Sequence, residues 1–173
     1  MKNLQYPIGR FQFQPQEKLS NYLQSLTSLP NSIKNIINDF TEDDWAITYR
    51  PGGWNGRQLV HHIADSHMNS FIRFKLALTE ERPTIRPYYE DRWALLADVS
   101  AVHPMESLQI LTALHNRWTI LIESLSPEDL NKSFYHPGDE KWVTLLENTA
   151  FYAWHCDHHL AHLKLIDDKR KNQ

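Results

Sequence analysis

The chain has 173 residues, a net charge of −3 at pH 7 and 41% hydrophobic residues, a length that suits one domain with a sizeable core and is short for two. The slight acidity disfavours nucleic acid, whose binding needs a basic face, and no stretch approaches the roughly 18 consecutive apolar residues of a membrane span. A single cysteine, Cys156, excludes a disulfide within the chain, and with an amino terminus that lacks the apolar segment of a signal peptide it predicts a cytoplasmic protein.

The chain begins with a predicted arm and a first helical region. Residues 1–15 contain two prolines and a glycine and are expected to be extended. Leucines and isoleucines at helical spacing then predict a helix over residues 16–40. We expect Pro30 to kink or restart this helix, because proline lacks an N–H and its ring clashes with the preceding turn.

A long connection is predicted between the second and third long helices. Asn55 and Gln58 have the side-chain types of a capping box, and the helix that they open should reach about Thr79. Residues 81–103 have prolines at or near their ends, which predicts an irregular crossover with one short helix at about 91–97.

The second half of the chain predicts two further long helices. An apolar stripe at helical spacing predicts the third over residues 105–125. Ser126 followed by proline predicts a short helix, and residues 134–143 are expected to form an irregular turn or a small hairpin. Thr144 begins a second capping-box pattern and opens the last helix, which should reach about Lys169.

These elements together predict an all-α protein. Four long helices with little strand signal are typical of a four-helix bundle, here in a single domain that spans residues 1–173. The connection between the second and third long helices is long enough to cross the bundle. Strict up-down-up-down order is therefore not required.

The last predicted helix carries an unusual density of histidines, at His155, His158, His159 and His162. Neutral imidazole is the commonest protein ligand for zinc, nickel and related metals. Residues four apart on a helix have Cβ atoms about 5–6 Å apart, so both rings of such a pair can reach one ion. On a helical wheel His155 and His159 border the apolar arc, whereas His158 and His162 turn further towards solvent.

A third metal ligand is sought on the second helix, where His61, His62 and His67 are the candidates. His67 falls among apolar positions and is expected to be a core histidine, while His61 points outwards and is expected at the surface. His62 lies at the boundary, where a ligand that faces a pocket would be. Periodicity alone leaves the choice between His62 and His67 open.

Other reactive side chains are expected to have structural roles. Cys156 points into the apolar arc, which favours a buried and inert thiol. Arg73, Tyr88 and Arg92 are suitable contacts for an anionic substrate, but ion pairs or packing of the crossover are the expected roles. No general acid or base is apparent from the pattern.

Two segments resemble the DinB/YfiT-like superfamily, and in particular its YfiT branch. They are GWNGRQLVHHIADS at residues 53–66 and WHCDHHLAH at residues 154–162. The resemblance implies a four-helix bundle that binds one divalent ion per chain, zinc or nickel, through His62, His155 and His159. It also implies a homodimer.

The resemblance implies a metal-dependent hydrolase that activates water for attack on a small-molecule substrate. Relatives in the superfamily include thiol S-transferases that use low-molecular-weight thiols such as bacillithiol, so a metal-dependent thiol S-transferase is the alternative enzyme. A third hypothesis is a non-catalytic, metal-bound binding module.

Overall fold

Four long helices form the core of the computed structural model, which describes residues 4–172. They are α1 (Leu19–Ile37), α2 (Gly56–Thr79), α5 (Pro104–Glu123) and α7 (Leu145–Lys171). The shorter elements are a 3-10 helix (Asp44–Ala46), α3 (Glu90–Trp93), α4 (Ala97–Ala101), α6 (Pro127–Asn131) and an antiparallel hairpin of β1 (Ser133–His136) and β2 (Lys141–Thr144). The four-helix bundle predicted from the sequence is confirmed.

The order of the helices around the bundle differs from their order in the chain. Helix α1 packs against α5 and α7, and α2 packs against the same two helices. The consecutive helices α1 and α2 therefore lie at opposite corners of the bundle. This arrangement brings α2 beside α7, so the two histidine-bearing segments become neighbours although they are far apart in sequence.

Local side-chain chemistry sets where α2 and α7 begin. The Asn55 side chain accepts from the Gln58 backbone N–H, and the Gln58 side chain accepts in return, which completes the predicted capping box of α2. Thr144 caps α7 by accepting from the Glu147 N–H. The reciprocal bond of the second box is replaced by an ion pair, because the Glu147 carboxylate lies 3.1 Å from Lys141 Nζ.

Proline does not interrupt the first helix. Pro30 lies inside α1 and is buried in the core, so the restart predicted there is wrong. The reason is tertiary: the Leu26 carbonyl, which would accept from an N–H at position 30, instead accepts from Nδ1 of His115, 2.6 Å away. The helix thus continues without leaving that buried carbonyl unbonded.

The arm and the crossover cover the bundle. Residues 4–15 of the arm have no regular helix or strand, as predicted, while residues 1–3 lie outside the described range. Helix α1 begins at Leu19 and not at residue 16 as predicted. Trp154 Nε1 of α7 donates to the Gly9 carbonyl at 3.2 Å, which attaches the arm to the histidine-rich helix. The crossover holds two short helices, α3 and α4, where one was predicted. No helix within residues 4–172 is long and apolar enough to span a membrane.

Candidate metal centre

Three histidines from two helices meet at one point. His62 lies on α2, and His155 and His159 lie one turn apart on α7. One ring nitrogen from each lies within 4.8 Å of the other two, and the ring centroids are 4.4–5.5 Å apart. The structure therefore brings together the three residues that the resemblance implied, at a spacing at which they can share one ion.

The surroundings keep these three rings neutral. Burial, together with smaller contributions from His158 and His162, lowers the pKa of His62 to about 4. Burial also holds the pKa values of His155 and His159 well below the ordinary value of 6.5. A neutral imidazole offers a ring-nitrogen lone pair to a metal at neutral pH, so this donor set fits a divalent ion such as zinc or nickel.

A second group of ring nitrogens overlaps the first. His158, His159 and His162 also have one ring nitrogen each within 4.8 Å of the others. The two groups share His159. A second dication in this group would lie beside the first with only neutral imidazoles between them, and this mutual repulsion favours a single ion.

His158 and His162 are buried, so their predicted orientation towards solvent is wrong. Trp154 stacks on His158 with a centroid distance of 4.5 Å, and Tyr49 stacks on His162 at 3.9 Å. A helical wheel describes one helix alone. It contains no information on the arm and the loop before α2, which cover this side of α7.

His61 and His67 occupy different parts of the core. His67 is fully buried, as its position on the wheel predicted. His61 is only 6% exposed, so the predicted surface position is wrong. Its Nδ1 lies 2.7 Å from Ser107 Oγ and its Nε2 lies 3.2 Å from the Val102 carbonyl, because α5 and the connection before it cover this face of α2.

His115 of α5 is a buried histidine that the sequence analysis did not identify. Its Nε2 lies 2.7 Å from Nδ1 of His67, and Nε2 of His67 lies 3.0 Å from Nδ1 of His155. With the bond from His115 to the Leu26 carbonyl, these contacts form a continuous line, which we call the inner chain. One signal was available in the sequence: His115 falls on the buried stripe of α5 between Leu111 and Trp118.

The three histidines line a pocket of about 720 Å³, a volume typical of small-molecule sites. Tyr6 and Phe11 of the arm form part of its wall, and Arg73, Tyr88 and Tyr152 also face it. The Tyr152 hydroxyl donates to the Ser66 carbonyl at 3.0 Å. The arrangement thus combines a candidate metal centre with a space in which a small molecule can reach it.

A largely buried arginine lines the pocket. Arg73 is only 9% exposed, and among residues 4–172 no carboxylate forms an ion pair with it. Of the two structural roles predicted for it, the ion pair is therefore not observed. Arg92 is not in the pocket wall; its guanidinium lies 4.5 Å from the Tyr89 ring centre. Cys156 is fully buried, and burial holds the pKa of its thiol well above the ordinary value, in agreement with an inert thiol.

The chain is similar to known proteins in family, in sequence and in structure. The family model described as the DinB superfamily matches residues 25–163. The chain is 44% identical over 166 residues to "Putative metal-dependent hydrolase YfiT" of Bacillus subtilis, which covers 93% of this chain and 92% of the relative. It is 46% identical over 166 residues to a "Putative metal-dependent hydrolase" of Bacillus cereus strain AH820, with coverage of 94% and 95%.

A solved structure has the same fold. It is titled "YfiT from Bacillus subtilis is a probable metal-dependent hydrolase with an unusual four-helix bundle topology", and it superposes with a TM-score of 0.93 over 98% of both chains at 41% identity. The bundle topology is therefore shared with this relative.

Proposed function

Since this chain belongs to the DinB superfamily, we propose that it is a metal-dependent hydrolase whose divalent ion, zinc or nickel, is bound by His62, His155 and His159. The observation that carries the proposal is the convergence of three buried, neutral imidazoles, with nitrogens within 4.8 Å, on the wall of a pocket of about 720 Å³. The names of the relatives support the reaction class.

Three histidine ligands leave room on an ion for water or substrate, and such an ion supplies a Lewis acid and an activated water. The chain itself supplies position and selectivity. Tyr152 is held by its bond to the Ser66 carbonyl, and Asn148 Nδ2 donates to Ser70 Oγ at 2.7 Å. These two hydrogen bonds fix part of the pocket wall beside the three imidazoles.

Arg73 selects the substrate within this proposal. Arg73 lies in the pocket wall, and a guanidinium in such a partly desolvated site gains from pairing with an anionic ligand. Burial raises the pKa of Tyr152, and the nearby Arg73 charge acts in the opposite direction, so the guanidinium acts on the same wall of the pocket. We propose that Arg73 binds an anionic group, such as a carboxylate, at the end of the substrate away from the reacting bond.

The metal assignment is tested by metal content. The protein is stripped with a chelator, incubated with zinc or nickel and analysed by elemental mass spectrometry. We expect one ion per chain in the unsubstituted protein and none in His62→Ala, His155→Ala or His159→Ala. His61→Ala is the control, since His61 is a buried histidine of the same helix whose ring nitrogens are bonded elsewhere. Full metal content in His62→Ala would refute the ligand set.

The reaction class is tested with model substrates. We expect the zinc- or nickel-loaded protein to hydrolyse p-nitrophenyl acetate, with the activity absent in His155→Ala. The same protein is then given 1-chloro-2,4-dinitrobenzene with and without cysteine as a thiol. Conjugation of the thiol without ester hydrolysis would identify the thiol S-transferase instead, and metal binding without either activity on these probes or on a wider ester and amide panel would leave the binding module.

A further inference from the structure

The inner chain joins a proposed metal ligand to a backbone carbonyl of a different helix. It runs from His155 on α7 through His67 on α2 and His115 on α5 to the Leu26 carbonyl on α1, with successive distances of 3.0, 2.7 and 2.6 Å. All three rings are buried. Each of the four long helices contributes one group, so the inner chain crosses the whole bundle.

The geometry is that of hydrogen bonds between ring edges. His67 and His115 have ring planes 15° apart and centroids 4.9 Å apart. Because their nitrogens are only 2.7 Å apart, the two rings meet edge to edge rather than face to face. The His67 and His155 centroids are 5.1 Å apart with nitrogens 3.0 Å apart, which is the same kind of contact.

The Leu26 carbonyl, at the far end of the inner chain, fixes the donor and acceptor of every hydrogen bond in it. The Leu26 carbonyl can only accept, so His115 must carry its proton on Nδ1. In neutral His115, Nε2 is then an acceptor, which requires the proton of His67 on Nδ1. The Leu26 carbonyl receives no helical hydrogen bond from position 30, because Pro30 has no N–H to donate to it.

The direction of the last hydrogen bond, between His67 and the proposed ligand His155, follows from the charge of His67. A protonated His67 would be a fully buried cation, and no carboxylate within residues 4–172 forms a hydrogen bond or ion pair with it, so the neutral form is favoured. Nε2 of neutral His67 is an acceptor, and Nδ1 of His155 must therefore be the donor. This leaves the lone pair of His155 on Nε2.

We propose that His67 and His115 are positioning residues that hold His155 in the Nδ1–H tautomer and direct its Nε2 lone pair towards the ion. The proposal rests on the proposed function for the identity of His155 as a ligand. Ligating histidines commonly donate their other N–H to an acceptor that sets tautomer and ring orientation. Here the acceptor is another neutral imidazole, so the inner chain orients the ligand without adding negative charge to the centre.

The variant His67→Phe tests the proposal, since it keeps a ring of similar shape and removes both nitrogens. We expect its affinity for zinc, measured by competition with a chromophoric chelator, to fall about 10–100-fold. His67→Gln should retain most of the affinity, because its amide can accept from His155 and donate to His115. The matched control is His61→Phe, a buried and hydrogen-bonded histidine of the same helix, which should leave the affinity unchanged.

A measurement on the metal-free protein separates this proposal from the proposed function. Nitrogen-15 chemical shifts of the histidine rings should show the Nδ1–H tautomer for His155, His67 and His115. In His67→Phe, His155 should sample both tautomers. A metal-free His155 with its proton on Nε2, or an unchanged zinc affinity in folded His67→Phe, would overturn the inference. Absence of metal from the unsubstituted protein would instead defeat the proposed function and leave the tautomer readable.

Discussion

Two sides of the proposed ligand helix can be compared, the inner chain and the outer pair, by which we mean His158 and His162. Both contain buried histidines beside a proposed ligand. The inner chain has three hydrogen bonds of 2.6–3.0 Å and ends on a carbonyl. In the outer pair, Nδ1 of His162 lies 3.4 Å from Nδ1 of His159, and Nδ1 of His158 has no hydrogen-bond partner within residues 4–172.

The difference shows that spacing does not identify a ligand. His158 and His162 are four residues apart, as are His155 and His159, and both pairs are buried. What distinguishes them is the partner of the second ring nitrogen. His155 lies beside a defined acceptor, Nε2 of His67, whereas the rings of Trp154 and Tyr49 stack on the outer pair.

The largest expected effect comes from removing the proposed ligand His155, compared with removing a histidine of the outer pair. Loss of a proposed ligand in His155→Ala should lower zinc affinity by more than about 100-fold, beyond the range typical of outer partners. In His158→Ala and His162→Ala the zinc affinity should fall by no more than about 10-fold, the lower end of that range. Chelator competition measures all three. Larger losses in His158→Ala and His162→Ala than in His155→Ala would place the ion in the group formed by His158, His159 and His162.

Acid should destabilise the metal-free protein through the inner chain. Burial lowers the pKa of His115 to about 4, below the value of about 6.5 expected when unfolded. The unfolded state therefore binds more protons between these values, and stability present above pH 6.5 is lost as the pH falls towards 4. The lowered pKa of His115 corresponds to about 3 kcal/mol of the free energy of unfolding. His62, His158 and His162, whose pKa values are also lowered to about 4, act in the same direction, and urea titration from pH 7.5 to 4.5 measures the summed loss.

An internal control has the opposite sign. Burial raises the pKa of Asp65 to about 6, above its unfolded value, so protonation of Asp65 favours the folded state as the pH falls. Asp65→Asn should therefore make the acid-induced loss of stability steeper. A free energy of unfolding that stays constant from pH 7.5 to 4.5 in both proteins would contradict the assignment of neutral buried histidines.

A smaller effect, on substrate selectivity, is expected at Arg73 in the pocket wall. Arg73→Met should lower kcat/KM for a carboxylate-bearing ester, p-nitrophenyl hemisuccinate, by about 10-fold or more, the usual range for a hydrogen bond to a charged group. Neutral p-nitrophenyl acetate should be affected less. Arg92→Met serves as the control because that arginine lies outside the pocket wall. Equal effects of Arg73→Met on both esters would argue against anion recognition.

The smallest effect is expected at the far end of the inner chain. Pro30→Ala introduces an N–H that competes for the Leu26 carbonyl. A carbonyl oxygen has two lone pairs and can accept both bonds, so zinc affinity should change by no more than about threefold, well under the loss typical of a removed outer partner. The His115 Nδ1–H resonance should nevertheless shift. An unchanged resonance would mean that the carbonyl does not anchor the chain.

Much of the fold followed from local chemistry. The capping box of Asn55 and the cap of Thr144 predicted where α2 and α7 begin, and apolar periodicity predicted the four long helices. The predictions failed where a distant segment decides the outcome. Pro30 does not restart its helix because a histidine of α5 bonds the freed carbonyl, and His61 is buried because α5 covers it.

The candidate site was also predicted in part from the sequence. The position of the apolar arc on the helical wheel favoured the pair His155 and His159, while the choice of His62 over His67 came from the resemblance and not from periodicity. His115 was missed, since a histidine on an apolar stripe gives no sign of its partner. Its position in the core and its two bonds are properties of the packed bundle.

The sequence by itself determined the helices, their caps and the supply of imidazoles on two of them, because these features depend on residues within a turn or two of each other. Only the tertiary structure decided what each ring nitrogen contacts. The bonds of the inner chain join residues 48, 88 and 89 positions apart. Such bonds depend on how four helices pack, and no pattern along one helix contains that information.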